Sequence, residues 1–204
     1  MLYLSQLTLN PRSRQVQAEL RDPYEMHRTL AKAFGEGAEG QSAARCLFRV
    51  EEESGGISLR LLVQSRVLPS WQNLAVPTDY LRDIPQVKSF NPALTAGQLL
   101  SFRLRANPTV RREGKRLGLY RAAERLAWLS RKATENGFSL LTATEISERS
   151  PECQAKSNKA VFSAVQFEGV LQVDNVEAFL SALAGGIGAG KGFGFGMLCL
   201  SRVK

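Results

Sequence analysis

Apolar and polar residues alternate in several short segments of the chain, as they do in strands that bury one face. Residues 2–9 (LYLSQLTL) and 98–106 (QLLSFRLRA) follow this period of two and predict one strand each. Residues 45–52 and 57–66 flank the sequence Ser-Gly-Gly at 54–56, which predicts a hairpin of two further strands. All four strands lie in the first half of the chain.

A helix is predicted between the first strand and the hairpin. Asp22 precedes a proline and is followed three positions later by Glu25, which is the spacing of a helix N-terminus with a capping box. The helix should run to about Phe34 and end at a glycine-rich loop at 35–40. Residues 70–83 predict an irregular or weakly helical connection, so the first half follows the order β-α-β-β-(α)-β.

The second half repeats this order after Asn107-Pro108, a sequence that interrupts the alternation and marks a domain boundary. Apolar residues recur at helical spacing between Tyr120 and Asn136, and the sequence from Asp174 to Glu177 repeats the capping spacing. The predicted elements are a short strand at 115–119, a helix at 120–136, strands at 138–145 and 158–173, a helix from about 175 to 185, and a strand at 194–203.

Two copies of the split β-α-β order predict an α+β protein with two tandem ferredoxin-like (βαββαβ) domains. We place the first domain at residues 1–107 and the second at 108–204. Helices would cover one face of each antiparallel sheet and leave the other face available. A single larger α+β domain is the alternative, because the halves repeat a pattern and not a sequence.

The composition of 204 residues, 44% apolar and 23% charged, is that of a globular protein. No apolar run approaches the ~20 residues of a membrane helix, and no basic segment precedes the apolar N-terminus as in a signal peptide. Three widely spaced cysteines are typical of reduced thiols in a cytoplasmic protein. With one histidine and no paired cysteines, we expect no metal site and no cofactor.

Positive charge is concentrated in one segment. The chain has 27 Lys and Arg against 19 Asp and Glu, a net charge of +8, and residues 102–132 carry the whole surplus. Such a segment attracts polyanions through phosphate contacts and the release of counterions. A solvated basic face without a ligand is the alternative. A basic membrane-surface helix is disfavoured, because the segment spans a strand, a loop and a helix.

Seven glycines lie within residues 185–197 (GGIGAGKGFGFGM). Gly185 to Lys191 has phosphate-loop spacing, but Gly192 replaces the Ser or Thr that would bind Mg²⁺, and the segment precedes a strand instead of following one. Residues 191–195 match the start of an RNA-recognition motif, yet too few residues follow to complete that domain. We therefore predict a loop whose backbone lies against RNA, with Lys191 as a point charge. A tight connection packed on a neighbouring domain is the alternative.

His27 is the single histidine of the chain. At helical spacing it lies beside the apolar face that contains Met26, and Tyr24 lies one turn earlier on the same side. Imidazole exchanges protons near neutral pH, a tyrosine hydroxyl can orient a reacting group, and Arg28 and Lys32 supply positive charge. Metal-free cleavage of RNA by its own 2′-hydroxyl requires such groups. A purely structural histidine is the alternative.

Four segments together resemble the CasE-type CRISPR RNA-processing endoribonucleases of the repeat-associated RNA-binding (RAMP) superfamily. They are residues 10–34 (NPRSRQVQAELRDPYEMHRTLAKAF), 102–108 (FRLRANP), 114–119 (GKRLGL) and 186–198 (GIGAGKGFGFGML). The resemblance covers nearly the whole chain and implies two ferredoxin-like domains. It also implies cleavage of the precursor CRISPR transcript at the base of each repeat hairpin, and retention on that RNA with other subunits of the Cascade complex.

The resemblance further implies site residues. It puts the catalytic histidine at His27, its neighbouring tyrosine at Tyr24 and the glycine-rich loop at residues 186–196. The RNA contacts that we expect come from Arg28, Lys32, Lys115, Arg116, Lys156, Lys159, Gly188, Gly190, Lys191 and Gly192.

The leading hypothesis is a metal-independent endoribonuclease of the cytoplasm. A ribose 2′-hydroxyl would attack the adjacent phosphate and leave a 2′,3′-cyclic phosphate and a 5′-hydroxyl. His27 would be the general base or the general acid, and Tyr24 would position a reacting oxygen. A non-catalytic RNA-binding subunit of a ribonucleoprotein is the alternative, and a basic scaffold protein without a nucleic-acid partner is a third hypothesis.

Overall fold

The computed structural model describes residues 1–35, 37–52, 59–146 and 164–203. Contacts divide these residues into two units. The first unit contains residues 1–91 together with Gly192–Gly194, and the second contains the described residues from Pro92 to Lys191 and from Phe195 onward. No helix in these ranges is both long and apolar enough to cross a membrane.

The first unit is built on a four-stranded antiparallel sheet. Its elements in chain order are β1 (Leu2–Leu9), α1 (Arg14–Arg21), α2 (Pro23–Ala31), a 3-10 turn (Lys32–Phe34), α3 (Ala38–Ala44), β2 (Leu47–Glu52), β3 (Leu59–Ser65), a second 3-10 turn (Trp71–Asn73) and β4 (Gln86–Phe90). The strand order is β2-β3-β1-β4, with Leu7 opposite Leu61 and Phe48 opposite Val63. Strands β2 and β4 therefore lie at opposite edges of the sheet.

Alternation in the strands and helical spacing in α2 together produce the core of this unit. Leu7, Phe48 and Leu61 from the sheet belong to one buried cluster with Met26 and Leu30 of α2. Met26 and Leu30 are four residues apart, so they lie on the same side of the helix. Full burial of each such side chain contributes about 2 kcal/mol, and the cluster therefore fixes α2 on the sheet.

A buried carboxylate joins α1 to α2. Glu19 of α1 is only 3% exposed and accepts hydrogen bonds from Thr29 Oγ1 of α2 at 2.6 Å, from Tyr80 Oη at 2.5 Å and from Gln15 Nε2 at 2.8 Å. Burial, together with the Glu19 carboxylate, raises the pKa of Tyr80, so its hydroxyl remains a donor. Three donors offset the cost of desolvating the carboxylate, and they hold the two helices together.

Asp22 caps the N-terminus of α2 as predicted, but the reciprocal bond of a capping box is replaced, because the Asp22 N–H donates to the Ala18 carbonyl and the Glu25 carboxylate pairs with Arg28. Asp22 Oδ1 accepts a hydrogen bond from the Tyr24 N–H at 3.3 Å, and Pro23 takes the first helical position. The α-helix ends at Ala31 and the 3-10 turn continues to Phe34, where the prediction ends the helix. Helices α1 and α3 were not predicted, and α3 begins inside the predicted glycine-rich loop at 35–40.

The second unit repeats the strand order of the first. Its elements are β5 (Leu99–Ala106), β6 (Thr109–Arg112), β7 (Lys115–Gly118), α4 (Ala122–Glu135), β8 (Phe138–Ile146), β9 (Val165–Val173), α5 (Val176–Gly185) and β10 (Leu198–Arg202). The sheet order is β10-β5-β9-β8, and β6 and β7 form a separate hairpin. In both sheets the fourth strand, the first, the third and the second lie side by side and antiparallel. The predicted α+β class with two tandem ferredoxin-like domains is confirmed.

The division between the units differs from the predicted boundary at 107/108. That boundary lies after β5, but β5 pairs with β9 and β10, and the contacts divide between Asn91 and Pro92. Alternation identifies a strand but not the strands with which it pairs. The prediction therefore assigned β5 to the first domain, because β5 precedes the interruption at Asn107-Pro108. The predicted strand at 158–173 is described from Val165 onward, and residues 158–163 lie outside the described ranges.

Candidate active site

Helix α2 carries His27 and Tyr24 on one side in the first unit. The two residues are three positions apart, and their ring centroids lie 6.2 Å apart with the planes tilted by 37°. Met26 points into the core, whereas His27 is half-buried and Tyr24 is 44% exposed. The helix therefore brings a proton-exchanging group and a hydroxyl to the surface from a rigid support.

A segment more than 160 residues later in the chain completes this site. Gly192–Gly194 belong to the first unit, and the Phe193 ring stacks on Tyr24 with centroids 5.4 Å apart and planes at 28°. A Cβ placed on Gly192 would lie 3.4 Å from Cδ2 of His27. The end of the predicted glycine-rich loop therefore lies directly beside the two predicted catalytic residues.

The imidazole of His27 lies against an apolar ring on its other flank. Phe48 of β2 stacks on His27 with centroids 6.3 Å apart and planes at 18°. Nδ1 of His27 is buried and has no hydrogen-bond partner among the described residues. Burial lowers the pKa of His27 below its ordinary 6.5, because desolvation penalises the charged imidazolium. The neutral form of His27 therefore dominates at neutral pH.

The predicted basic residues of the first unit lie on the exposed side of this helical region. Arg28 Nη1 forms an ion pair with Glu25 at 3.0 Å, and both side chains are at least half exposed. Such a pair contributes at most about 1 kcal/mol to stability, so Arg28 can exchange this partner for a phosphate. Lys32 is exposed in the 3-10 turn that follows α2.

Lys115 and Arg116 lie on the exposed hairpin of the second unit. Strand pairing places Arg111 opposite Arg116 and Arg112 opposite Lys115, so four cations share one hairpin. Glu113 and Gly114 form its turn with φ of 50° and 76°. Arg111 and Arg112 were missing from the predicted contacts, although Gly114 lies between the two basic pairs at a position that suits a hairpin turn.

The structure divides the predicted glycine-rich loop between the two units. Gly188 and Gly190 belong to the second unit and have φ of 83° and 80°, a region that favours glycine whether or not a ligand is present. Lys191 Nζ donates a hydrogen bond to the Gly188 carbonyl at 3.0 Å. The predicted contacts Lys156 and Lys159 lie outside the described residues.

In the described ranges, no three His, Cys, Asp or Glu side chains are placed so that they could together hold a metal ion. The assembled groups are those of acid–base chemistry. They are the neutral imidazole of His27 and the exposed phenol of Tyr24, both on α2. The cations of the β6–β7 hairpin belong to the second unit and suit phosphates.

Comparison with known proteins gives full-length matches. A family model described as CRISPR associated protein matches residues 2–202. The chain is 39% identical to CRISPR-associated endoribonuclease Cse3 of Thermus thermophilus, over 98% of this chain and 100% of that protein. It is 30% identical to CRISPR system Cascade subunit CasE of Escherichia coli, over 98% of this chain and 99% of that protein.

A solved structure is similar over the same length. The structure of Thermus thermophilus Cse3 bound to an RNA representing a pre-cleavage complex superposes with a TM-score of 0.87 at 38% identity, covering 98% of this chain and 99% of that one. These matches confirm the resemblance to CasE-type proteins that the four sequence segments indicated.

Proposed function

The chain belongs to the CRISPR-associated protein family, and from that premise we propose that it is an endoribonuclease that cleaves precursor CRISPR RNA at the base of the repeat hairpin without a metal ion. The observation that carries the proposal is the placement of His27 and Tyr24 beside Gly192 and Phe193. The similarity to Cse3 and to CasE supports it, and it supports retention on the RNA within a Cascade complex.

The nucleophile in this reaction belongs to the RNA. The 2′-hydroxyl oxygen attacks the adjacent phosphorus, its proton passes to a base, and the bond from phosphorus to the 5′-oxygen breaks. The leaving oxygen takes up a proton, so the products are a 2′,3′-cyclic phosphate and a 5′-hydroxyl. No water and no metal-bound hydroxide takes part in this step.

His27 is the base in this scheme. Its lowered pKa leaves the imidazole neutral at neutral pH, which is the form that accepts a proton. Because Nδ1 is buried, Nε2 is the nitrogen left to face the substrate. Nε2 is bonded to Cδ2, the His27 atom that lies closest to a Cβ placed on Gly192. The exposed Tyr24 hydroxyl positions or polarises a phosphate oxygen.

Binding is assigned to groups other than His27 and Tyr24. The four cations of the β6–β7 hairpin lie in two cross-strand pairs and are exposed, so they contact phosphates and release counterions. Arg28 and Lys32 add positive charge in the first unit. Affinity and chemistry thus rest on different side chains and can be separated by experiment.

The test uses a repeat RNA with a single 2′-deoxy substitution immediately 5′ of the scissile phosphate. This change removes the nucleophile, keeps the phosphate charge and costs at most about one hydrogen bond, on the order of 1 kcal/mol. We expect binding within about tenfold of the native RNA and no cleavage, and full cleavage of the native RNA in EDTA. A control RNA has the deoxy substitution one nucleotide further 5′ and should be cleaved normally.

Two results would contradict the proposal. Cleavage of the substituted RNA, or loss of native cleavage in EDTA, would show that water or a metal-bound hydroxide attacks. Tight binding of native RNA without cleavage under any condition would instead identify a non-catalytic RNA-binding subunit.

A further inference from the structure

Four aromatic rings in the first unit form a continuous row. In order they are Phe193, Tyr24, His27 and Phe48, with successive centroid distances of 5.4, 6.2 and 6.3 Å. The two inner rings carry the groups that the proposed reaction uses. The two outer rings carry no group that exchanges a proton, so any part they take in the proposed reaction is indirect.

The inner ring that most needs support is Tyr24. It lies in the first turn of α2 and is 44% exposed, and its hydroxyl forms no hydrogen bond to another described residue. An exposed side chain held only at its backbone changes rotamer freely. Within the described part of the chain, the Tyr24 ring has ring contacts with Phe193 and His27.

The chain around Phe193 is closely packed. It ends a 3-10 turn and is half-buried. The next residue, Gly194, has φ of 79°, and a Cβ placed on it would lie 3.2 Å from Cε2 of Phe48. The backbone on the C-terminal side of Phe193 is therefore packed closely against the ring at the other end of the row.

We propose that Phe193 is a positioning residue that holds the Tyr24 hydroxyl in its reactive orientation. This inference rests on the proposed function, because it assigns Phe193 a task in that reaction. It adds a residue that the predicted RNA contacts passed over, although they included its neighbours Lys191 and Gly192. Phe193 acts through the ring of Tyr24 and supplies no proton and no charge.

The test compares Phe193→Leu with Phe193→Tyr. Leucine keeps an apolar side chain but cannot stack, and misplacement of a reacting group lowers a rate steeply. We expect Phe193→Leu to lower the single-turnover cleavage rate at saturating repeat RNA about tenfold. The Kd for the 2′-deoxy RNA should stay within about twofold of the wild-type value, and Phe193→Tyr, which retains the ring, should restore the rate.

A double-mutant cycle with Tyr24→Phe separates positioning from general structural damage. If Phe193 acts by orienting the Tyr24 hydroxyl, Phe193→Leu should change the rate less than about twofold once that hydroxyl is absent. Phe90→Leu is the matched control, because Phe90 is half-buried in β4, at the edge of the sheet opposite to β2 and Phe48. It should leave the rate unchanged.

Several results would overturn the inference. They are an unchanged rate in Phe193→Leu, a full tenfold loss that persists in the Tyr24→Phe background, and a failure of Phe193→Tyr to restore cleavage.

Selective isotope labelling of the four tyrosines, followed by NMR, gives a readout that needs no cleavage. Tyr24→Phe identifies the Tyr24 ring signals, and Phe193→Leu should shift them.

This readout also distinguishes the two proposals. Absence of repeat-RNA cleavage by the wild-type protein would contradict the proposed function. Tyr24 ring signals that do not shift in Phe193→Leu would contradict the positioning inference.

Discussion

The two units share one strand order and differ in what the chain inserts after the first strand. In the first unit the connection from β1 to β2 contains three helices, and the middle one carries Tyr24 and His27. In the second unit the connection from β5 to β8 begins with the basic β6–β7 hairpin before α4. The same framework therefore supports acid–base groups in one unit and a cluster of cations in the other.

The environments of these two inserts also differ. His27 is half-buried between Phe48 and the backbone of Gly192, and burial lowers its pKa. Arg111, Arg112, Lys115 and Arg116 are exposed, which suits contacts that neutralise phosphates. If the proposed roles are correct, substitutions of His27 or Tyr24 should affect the cleavage rate, and substitutions in the hairpin should affect affinity and its dependence on salt.

The largest expected effect is that of His27→Ala. Loss of a general base lowers a rate by roughly 10²-fold or more, and we expect this loss in single-turnover cleavage of repeat RNA. The affinity for 2′-deoxy RNA should change less than about twofold, because the hairpin contacts are intact. Cleavage within tenfold of the wild type would remove His27 from the mechanism.

The glycines of the 185–197 segment offer a second contrast between structure and function. Gly196 has φ of 89°, and a Cβ there would lie 2.7 Å from the Ile187 carbonyl oxygen. Gly196→Ala should therefore lower the free energy of unfolding by about 2 kcal/mol, the cost of left-handed strain at a non-glycine residue. Denaturant unfolding measures this loss.

Gly192→Ala is the matched variant, four residues earlier in the same segment. A Cβ there would lie 3.4 Å from His27 Cδ2 and 3.7 Å from Tyr24 Cδ2, so the fold accommodates it and stability should stay within about 0.5 kcal/mol of the wild type. The methyl group would narrow the space beside Nε2, and cleavage should fall several-fold. Normal cleavage in Gly192→Ala would mean that the substrate does not use this opening.

Much of the fold follows from local sequence patterns. Asp22, Pro23 and Glu25 locate the start of α2, and the spacing of Met26 and Leu30 identifies its buried side. These signals involve residues within a few positions of each other. Because His27 lies between buried positions on that helix, its half-buried position beside Tyr24 follows from the same local pattern.

The parts that escaped prediction depend on contacts between distant residues. The stacking of Phe193 on Tyr24 joins residues 169 positions apart in the numbering of the sequence, and no local spacing encodes it. The membership of β5 in the second sheet likewise depends on pairing with β9 and β10. α1 was missed because it buries only Val16 and Glu19. A glutamate in a sequence predicts an exposed position, and only the structure shows that Thr29 and Tyr80 donate hydrogen bonds to a buried Glu19.

Substitutions in the β6–β7 hairpin should change the salt dependence of binding, whereas substitutions of His27 or Tyr24 should not. Each phosphate contact adds about 0.9 to the slope of log affinity against log salt for a duplex, so replacing both Lys115 and Arg116 with Ala should flatten that slope by up to about two. The cleavage rate at saturating RNA should be unchanged. Filter binding across a salt series measures both slope and affinity.

A matched control for the hairpin variant lies in the same unit. Arg131 and Lys132 of α4 are an adjacent arginine and lysine, and both are paired with Glu135. Replacing them with Ala removes the same formal charge and should leave the slope near the wild-type value. Equal slopes for the two double variants would place the RNA elsewhere on the surface.

The smallest expected effect concerns pH and decides between the two roles of His27. An unshifted histidine is half protonated at about pH 6.5, which would halve the rate of a reaction that needs the neutral base. Burial lowers the pKa of His27, so between pH 7.5 and 6.5 the rate should fall by less than the roughly 1.8-fold expected at the unshifted pKa, and it should decline with unit slope only below the folded-state pKa. The single histidine gives one imidazole titration by NMR, which measures that pKa directly, and the two midpoints should agree.

The same pKa shift makes a prediction about stability. The folded protein binds this proton less readily than the unfolded chain, so protonation favours unfolding. Relative to His27→Gln, the wild type should lose stability as the pH falls from about 6.5 towards the folded-state pKa and lose no more below it.

A cleavage rate that instead rises as the pH falls through the NMR midpoint would show that the protonated imidazole is the active form. His27 would then be the general acid that protonates the leaving 5′-oxygen, and a different group would have to accept the proton of the 2′-hydroxyl.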